Sequence, residues 1–177
     1  MDEMFDEAGT ALCCAAAIRL GGAVRVLAGR AGLSDSYGLV SAGVDDISAS
    51  LDGQGLDECV LGKAFGENWT LDARYPAEVP GQVFLHRWTQ LVFVTIVLTK
   101  PGQRQLVAAQ GLDSAFQAAT AWPLAVRVDS FACLADYELA CQQEAEGRLR
   151  KGGLSALWEL AEEQSERYRR AAELLVG

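Results

Sequence analysis

The chain has 177 residues, half of them hydrophobic, with 24 acidic and 15 basic side chains and a net charge of −9. That is enough apolar material for one well-packed domain with an accessory element, but too little length for two full domains. The acidity excludes phosphate-backbone binding of the usual kind, which needs clustered Lys and Arg to displace counterions, so no nucleic acid is expected as a partner.

The acids are concentrated early: residues 1–72 hold 12 of them against 4 bases. Such a face either serves solubility or meets a basic partner surface. The opening "MDEMFDEAG" is acidic, the reverse of a signal peptide. The longest apolar runs, "ALCCAAAI" and "LVFVTIVL", are far shorter than a membrane span. A cytoplasmic chain without a membrane span is therefore expected.

Ala-rich sequence with acids in its first turns predicts a helix over about 3–20, stopped by Gly21-Gly22. Cys13, Cys14, Cys59, Cys133 and Cys141 are odd in number and lack paired CxxC spacing, so they read as reduced, mostly buried small hydrophobes. With one histidine in the chain, no zinc set can be completed, and neither a metal nor a cofactor is expected.

"AVRVLAG" at 23–29 alternates like a first strand and "YGLVSAG" at 37–43 like a second. The turn between them, in "GLSDSYGLVSAG", sets Ser41 among glycines. A nucleophile elbow needs G-x-S-x-G, and here Ser41 stands one place too late. Its base would have to be His86, the only histidine, on a different expected strand. Gly62-Lys63 lacks the spacing of a phosphate loop. No catalytic residue is expected.

Residues 44–69 read as mostly helical, with Asp45 or Asp46 as a cap and Leu56, Val60, Leu61 and Phe65 on an apolar face, interrupted at Gly53 and Gly55. A proline-bearing loop at 71–81 leads to two further strands, 82–88 and 89–99. Leu91 to Leu98 is apolar on both faces, which predicts a central strand with Phe93, Thr95 and Val97 on one side and Val92, Val94, Ile96 and Leu98 on the other. A helix follows over 104–122, limited by Pro123; "LAVRV" at 124–128 is ambiguous.

From about 130 the chain reads as two helices split at Gly152-Gly153. Leu154, Leu157, Trp158, Ala161, Tyr168 and Leu175 form a stripe with Glu–Arg pairs opposite, so this is a docking helix, for its own domain or for a partner. Leu154, Leu157, Trp158, Tyr168 and Leu175 are the candidate partner-binding residues.

The order helix, two strands, helix, two long strands, helix resembles the roadblock / dynein light-chain fold over about residues 8–120. The strings that carry it are "AVRVLAG" with "DSYGLVSAG", then "LGKAFGE", "GQVFLHRWTQLVFVTIVLT" and "GQRQLVAAQGLDSAFQAA". The long first turn and the "DGQG" interruption depart from that family. The resemblance implies an α+β domain at 1–125 with a mostly antiparallel sheet, and a helical extension at 126–177. It further implies a non-catalytic homodimer or heterodimer that regulates or scaffolds a partner such as a small Ras-like GTPase, with Gly38 serving the turn and Ser41 a bystander. Two other readings stand beside it. One is a GAF- or PAS-like ligand sensor with Trp69, Trp88 and Cys59 near its pocket; the other is an acidic dedicated chaperone or immunity-type binding protein.

Overall fold

A computed structural model describes residues 2–77, 80–100, 104–122 and 131–176. Among them the chain forms six α-helices and no β-strand: α1 (Asp2–Arg30), α2 (Ser34–Leu51), α3 (Glu58–Arg74), α4 (Gln82–Leu98), α5 (Arg104–Thr120) and α6 (Leu134–Val176). The expected α+β sheet is therefore replaced by an all-helical fold, and the roadblock-like architecture is corrected with it.

The four expected strands fail for one physical reason. Each carries a buried set spaced for a helix, which a mix of β-branched and small residues disguises as alternation. In 23–29, Ala23, Val24, Leu27 and Ala28 are buried while Arg25 is exposed. In 37–43 and just beyond, Val40, Gly43, Val44 and Ile47 are buried, at i, i+3, i+4 and i+7. In α4, Leu91, Val92, Thr95, Ile96 and Leu98 are buried, whereas Phe93 is 36% exposed. A strand would put Phe93 and Thr95 on one side; the helix puts them on opposite sides. Thr95 also fits a helix interior because its hydroxyl donates to the Leu91 carbonyl, 2.8 Å away. Burial thus overrides the weak helix propensity of Val, Ile and Thr.

The helix expected over 3–20 runs on through Gly21-Gly22 to Arg30. From Thr10 to Val24 helix α1 is buried nearly all round, and this stretch is accordingly almost wholly apolar; the helix touches α2, α4, α5 and α6. Gly22 lets α6 approach closely, since a Cβ there would overlap the backbone carbonyl of Ser165. By length and composition Glu7–Arg30 would also cross a membrane, and 78% of that apolar window is buried inside the fold. In this fold the helix packs against four other helices.

The expected helix over 104–122 is present as α5. "LAVRV" and the expected start of the tail near 130 lie outside the described residues. The tail helix breaks where expected, at Gly153, whose φ of 72° suits glycine.

The expected first cap differs. Asp57 caps α3, its Oδ1 accepting from the amides of Cys59 (2.8 Å) and Val60 (3.3 Å). Asp46 accepts from the Asp57 amide at 2.9 Å and so braces the turn.

Candidate functional site

Three places in the fold concentrate chemistry. The first is the seam between α1 and α6. Arg19 is 1% exposed and grips Glu138, which is fully buried, through Nε to Oε2 (3.0 Å) and Nη2 to Oε1 (2.6 Å). Tyr168 donates to Glu138 Oε2 at 2.7 Å and Gln142 to Oε1 at 2.9 Å. Every lone pair the carboxylate exposes to the interior is thus met, which is what a buried charge requires. Burial, with Glu138 next in weight, pushes the Tyr168 hydroxyl well above its usual range. This network is closed, with no opening for a reactant.

The second place is a cleft of about 260 Å³ lined by Arg25, Tyr37, Ser41, Asp45, Trp88, Glu162 and Arg169 among others. It is smaller than the ~300–1,000 Å³ usual for ligand pockets. One of its acids is already paired: Glu166 binds Arg169 at 2.5 Å and Arg170 at 3.2 Å, and those hydrogen bonds, Arg169 first, hold its carboxyl down at about 2. Ser41 lines this cleft, but His86 does not. On α4, His86 lies two residues before Trp88, hence on the opposite side of the helix. Its Nδ1 faces Asp72 at 2.9 Å and its Nε2 faces the Gln90 amide at 3.0 Å, which matches Nδ1–H donating and Nε2 accepting. The two members of the weighed triad are not brought together.

The third place is the outer face of α3 and α4. Phe65, Trp69 and Phe93 are 40%, 57% and 36% exposed. Their ring centroids form a triangle: 5.8 Å from Phe65 to Phe93, 6.0 Å from Trp69 to Phe93 and 6.5 Å from Phe65 to Trp69. Beneath them Asn68 donates its side-chain amide to the Thr89 carbonyl at 2.9 Å and pins the two helices. Sequence reading placed Phe65 with Leu61 on the apolar face. Helix α3 instead buries Leu61, Ala64, Asn68 and Leu71 and turns Phe65 outward. The signal for this was present: Phe65 and Trp69 are four apart, out of step with the buried set.

The candidate residues of the tail lie elsewhere. Leu157 is buried with Ala11, Ala15 and Ala161, with Leu154 packed beside them. Tyr168 is in the main core, and Leu175 packs against it. Trp158 is half-buried and donates its indole N–H to Asp52 at 2.9 Å. All five rest on this chain's own helices. Among the described residues no three His, Cys, Asp or Glu side chains gather as a metal would need. Among the described residues there is no sheet on which a GAF- or PAS-like sensor would build its pocket: Trp69 and Cys59 are exposed, and Trp88 is in the core.

Compared with family models, curated proteins and solved structures, the chain matches none of them.

Proposed function

We propose that this chain acts by binding another protein through the outer face of α3 and α4. The observation that carries this reading is the triangle of Phe65, Trp69 and Phe93, three large rings held in mutual contact yet left open to water. Each ring, 36–57% exposed, forgoes a share of the roughly 1.5–3 kcal/mol that full burial of such a side chain is worth. Contiguous exposed aromatics mark docking surfaces, and Trp and Phe anchors dominate the energetics of such surfaces. The reading needs no catalytic group.

Placing the photo-crosslinking residue p-benzoylphenylalanine at position 69 tests it, with position 151, exposed on α6, as the control. Irradiated cells should yield protein adducts from position 69 and not from 151. Absence of any protein adduct at 69 overturns the reading.

A further inference from the structure

The cleft beside the α1–α6 seam holds charges that the fold leaves unanswered. Its floor is Gly21 and Gly22 of α1, beside the Trp88 ring, and α2 and α6 wall it. The part of α6 after Gly153 runs alongside α1 in the same direction: Ser165 sits on Gly22, and Leu157 packs with Ala11 and Ala15. Helix α2 runs the opposite way. The Tyr37 hydroxyl lies 3.3 Å from a Cβ built on Gly21, while the Cys14 thiol donates to the Val44 carbonyl at 3.4 Å.

These registers sort the charged side chains of the cleft. Arg25 and Arg169 lie one turn beyond Gly21 and Ser165, at one end. Asp45 follows Val44, and Glu162 precedes Ser165 by one turn, at the other end. From the level of Ile18 to that of Arg25 is ~10 Å along α1. The hydroxyls of Ser41 and Ser165 stand between.

The two ends differ in what is already engaged. Arg169 is held by Glu166 and Glu173, and Glu166 also takes Arg170. Arg25 makes no hydrogen bond or ion pair among the described residues, and neither do the side chains of Asp45 and Glu162. Glu163, Glu166 and Glu173 each pair with an arginine of their own helix. Glu162 instead acts on Asp45 across the cleft: burial and then the Glu162 charge push the Asp45 carboxyl above its ordinary value. Two carboxylates thus face one another without a cation, and a guanidinium stands without an anion at the far end.

We propose that this cleft binds a small ω-amino acid, its ammonium between Asp45 and Glu162 and its carboxylate on Arg25. Arginine suits that role because its planar fork meets a carboxylate through two parallel hydrogen bonds. The volume of about 260 Å³ holds about nine atoms of water size, at ~30 Å³ each, which fits a short chain and excludes a nucleotide or a peptide. The ammonium and carboxylate must stand several bonds apart, since those on a single α-carbon are too close to reach both ends. The methylenes between them would lie over Gly21 and Gly22, where the missing side chains leave the floor open. This site shares no residue with the outer face of α3 and α4 and does not depend on it.

Isothermal titration calorimetry of the full chain with 6-aminohexanoate tests the proposal. One equivalent should bind with a Kd of roughly 0.05–1 mM. Hexylamine and hexanoate each carry half of the charge pattern and should bind at least tenfold more weakly. Arg25 and Asp45 are exposed, so Arg25→Gln and Asp45→Asn should fold with melting temperatures close to that of the wild type. Each should weaken 6-aminohexanoate at least tenfold. Arg25→Gln should leave the weak binding of hexylamine unchanged by saturation-transfer NMR, which separates a lost contact from a damaged cleft.

No binding of 6-aminohexanoate up to about 10 mM, or binding that neither variant weakens, overturns the proposal. So does hexylamine binding as tightly as 6-aminohexanoate, because the cleft is then a site for cations in which Arg25 has no part.

Discussion

The seam of α1 with α6 and the outer face of α3 with α4 use the same residue types to opposite ends. At the seam, a glycine is demanded by a neighbouring backbone, charges are sealed in pairs, and an aromatic ring is fully buried: Gly22 against Ser165, Arg19 on Glu138, Tyr168 capping the pair. On the outer face, Gly62 and Gly66 meet nothing, and Phe65 and Trp69 stand in water. A glycine or an aromatic residue has no meaning by itself. What its missing or present side chain meets decides whether it serves the fold or something outside it.

The sharpest way to break this contrast is to disturb the seam. Arg19→Met should leave Glu138 buried without its partner and cost about 3–5 kcal/mol, read by chemical denaturation; adding Glu138→Leu should recover much of the loss. A loss below about 1 kcal/mol would mean that water reaches this site and the seam is not closed. Leu157→Ala comes next, at about 2–5 kcal/mol, because it empties a fully buried position against Ala11 and Ala15.

On the outer face the same truncation should do little. Trp69→Ala should change monomer stability by about 0.5 kcal/mol or less, and Gly62→Ala should raise it by up to ~1 kcal/mol, as differential scanning calorimetry at low concentration would show. A large loss for Trp69→Ala would make that ring part of the core and remove the contrast.

Thiol titration sharpens it further. Cys59 is exposed and Cys133 half-buried, whereas Cys13, Cys14 and Cys141 are buried. Burial pushes the Cys13 thiol up to about 12 and the Cys141 thiol up to about 11. With a thiol reagent at neutral pH, Cys59 should react first and Cys133 more slowly, and the other three should await unfolding. A rapid five-thiol reaction in the native protein would contradict the sealed seam.

The smallest effect is at the cleft. Burial, and then the charge of Glu162, raises the Asp45 carboxyl above its ordinary value. An acid raised in the folded state favours folding most at low pH, and this contribution is lost as pH rises from the unfolded value through the folded one. Asp45→Asn should therefore stabilise slightly near neutral pH and make little difference at pH 3, measured as paired melting curves.

Much of the helical content was legible in the residues. Ala-rich spacing gave the start of α1, the 104–122 pattern gave α5, and Gly152-Gly153 marked the break in the tail. The strands and the resemblance built on them were misread because short apolar runs support either period. In 91–98 all eight residues are apolar except Thr95, so the pattern itself held no phase. The outer face was missed for a related reason. Phe65 is apolar and one turn from Leu61, and only their angular offset around α3 separates a ring in water from a leucine in the core.

By itself, then, the sequence determined the start of the first helix, the break at Gly152-Gly153, that the chain has the apolar content for one core, and that its tail has a side to bury. These follow from local rules: glycine freedom and the 3.6-residue repeat act within a few neighbours. The tertiary structure alone decided that 23–29, 37–43 and 82–99 are helical, because their competing periods are resolved by which face finds a partner to bury it. It alone decided which glycines are crossings and which are open, because that depends on what another helix brings against them, as Ser165 comes to Gly22 from the far end of the chain.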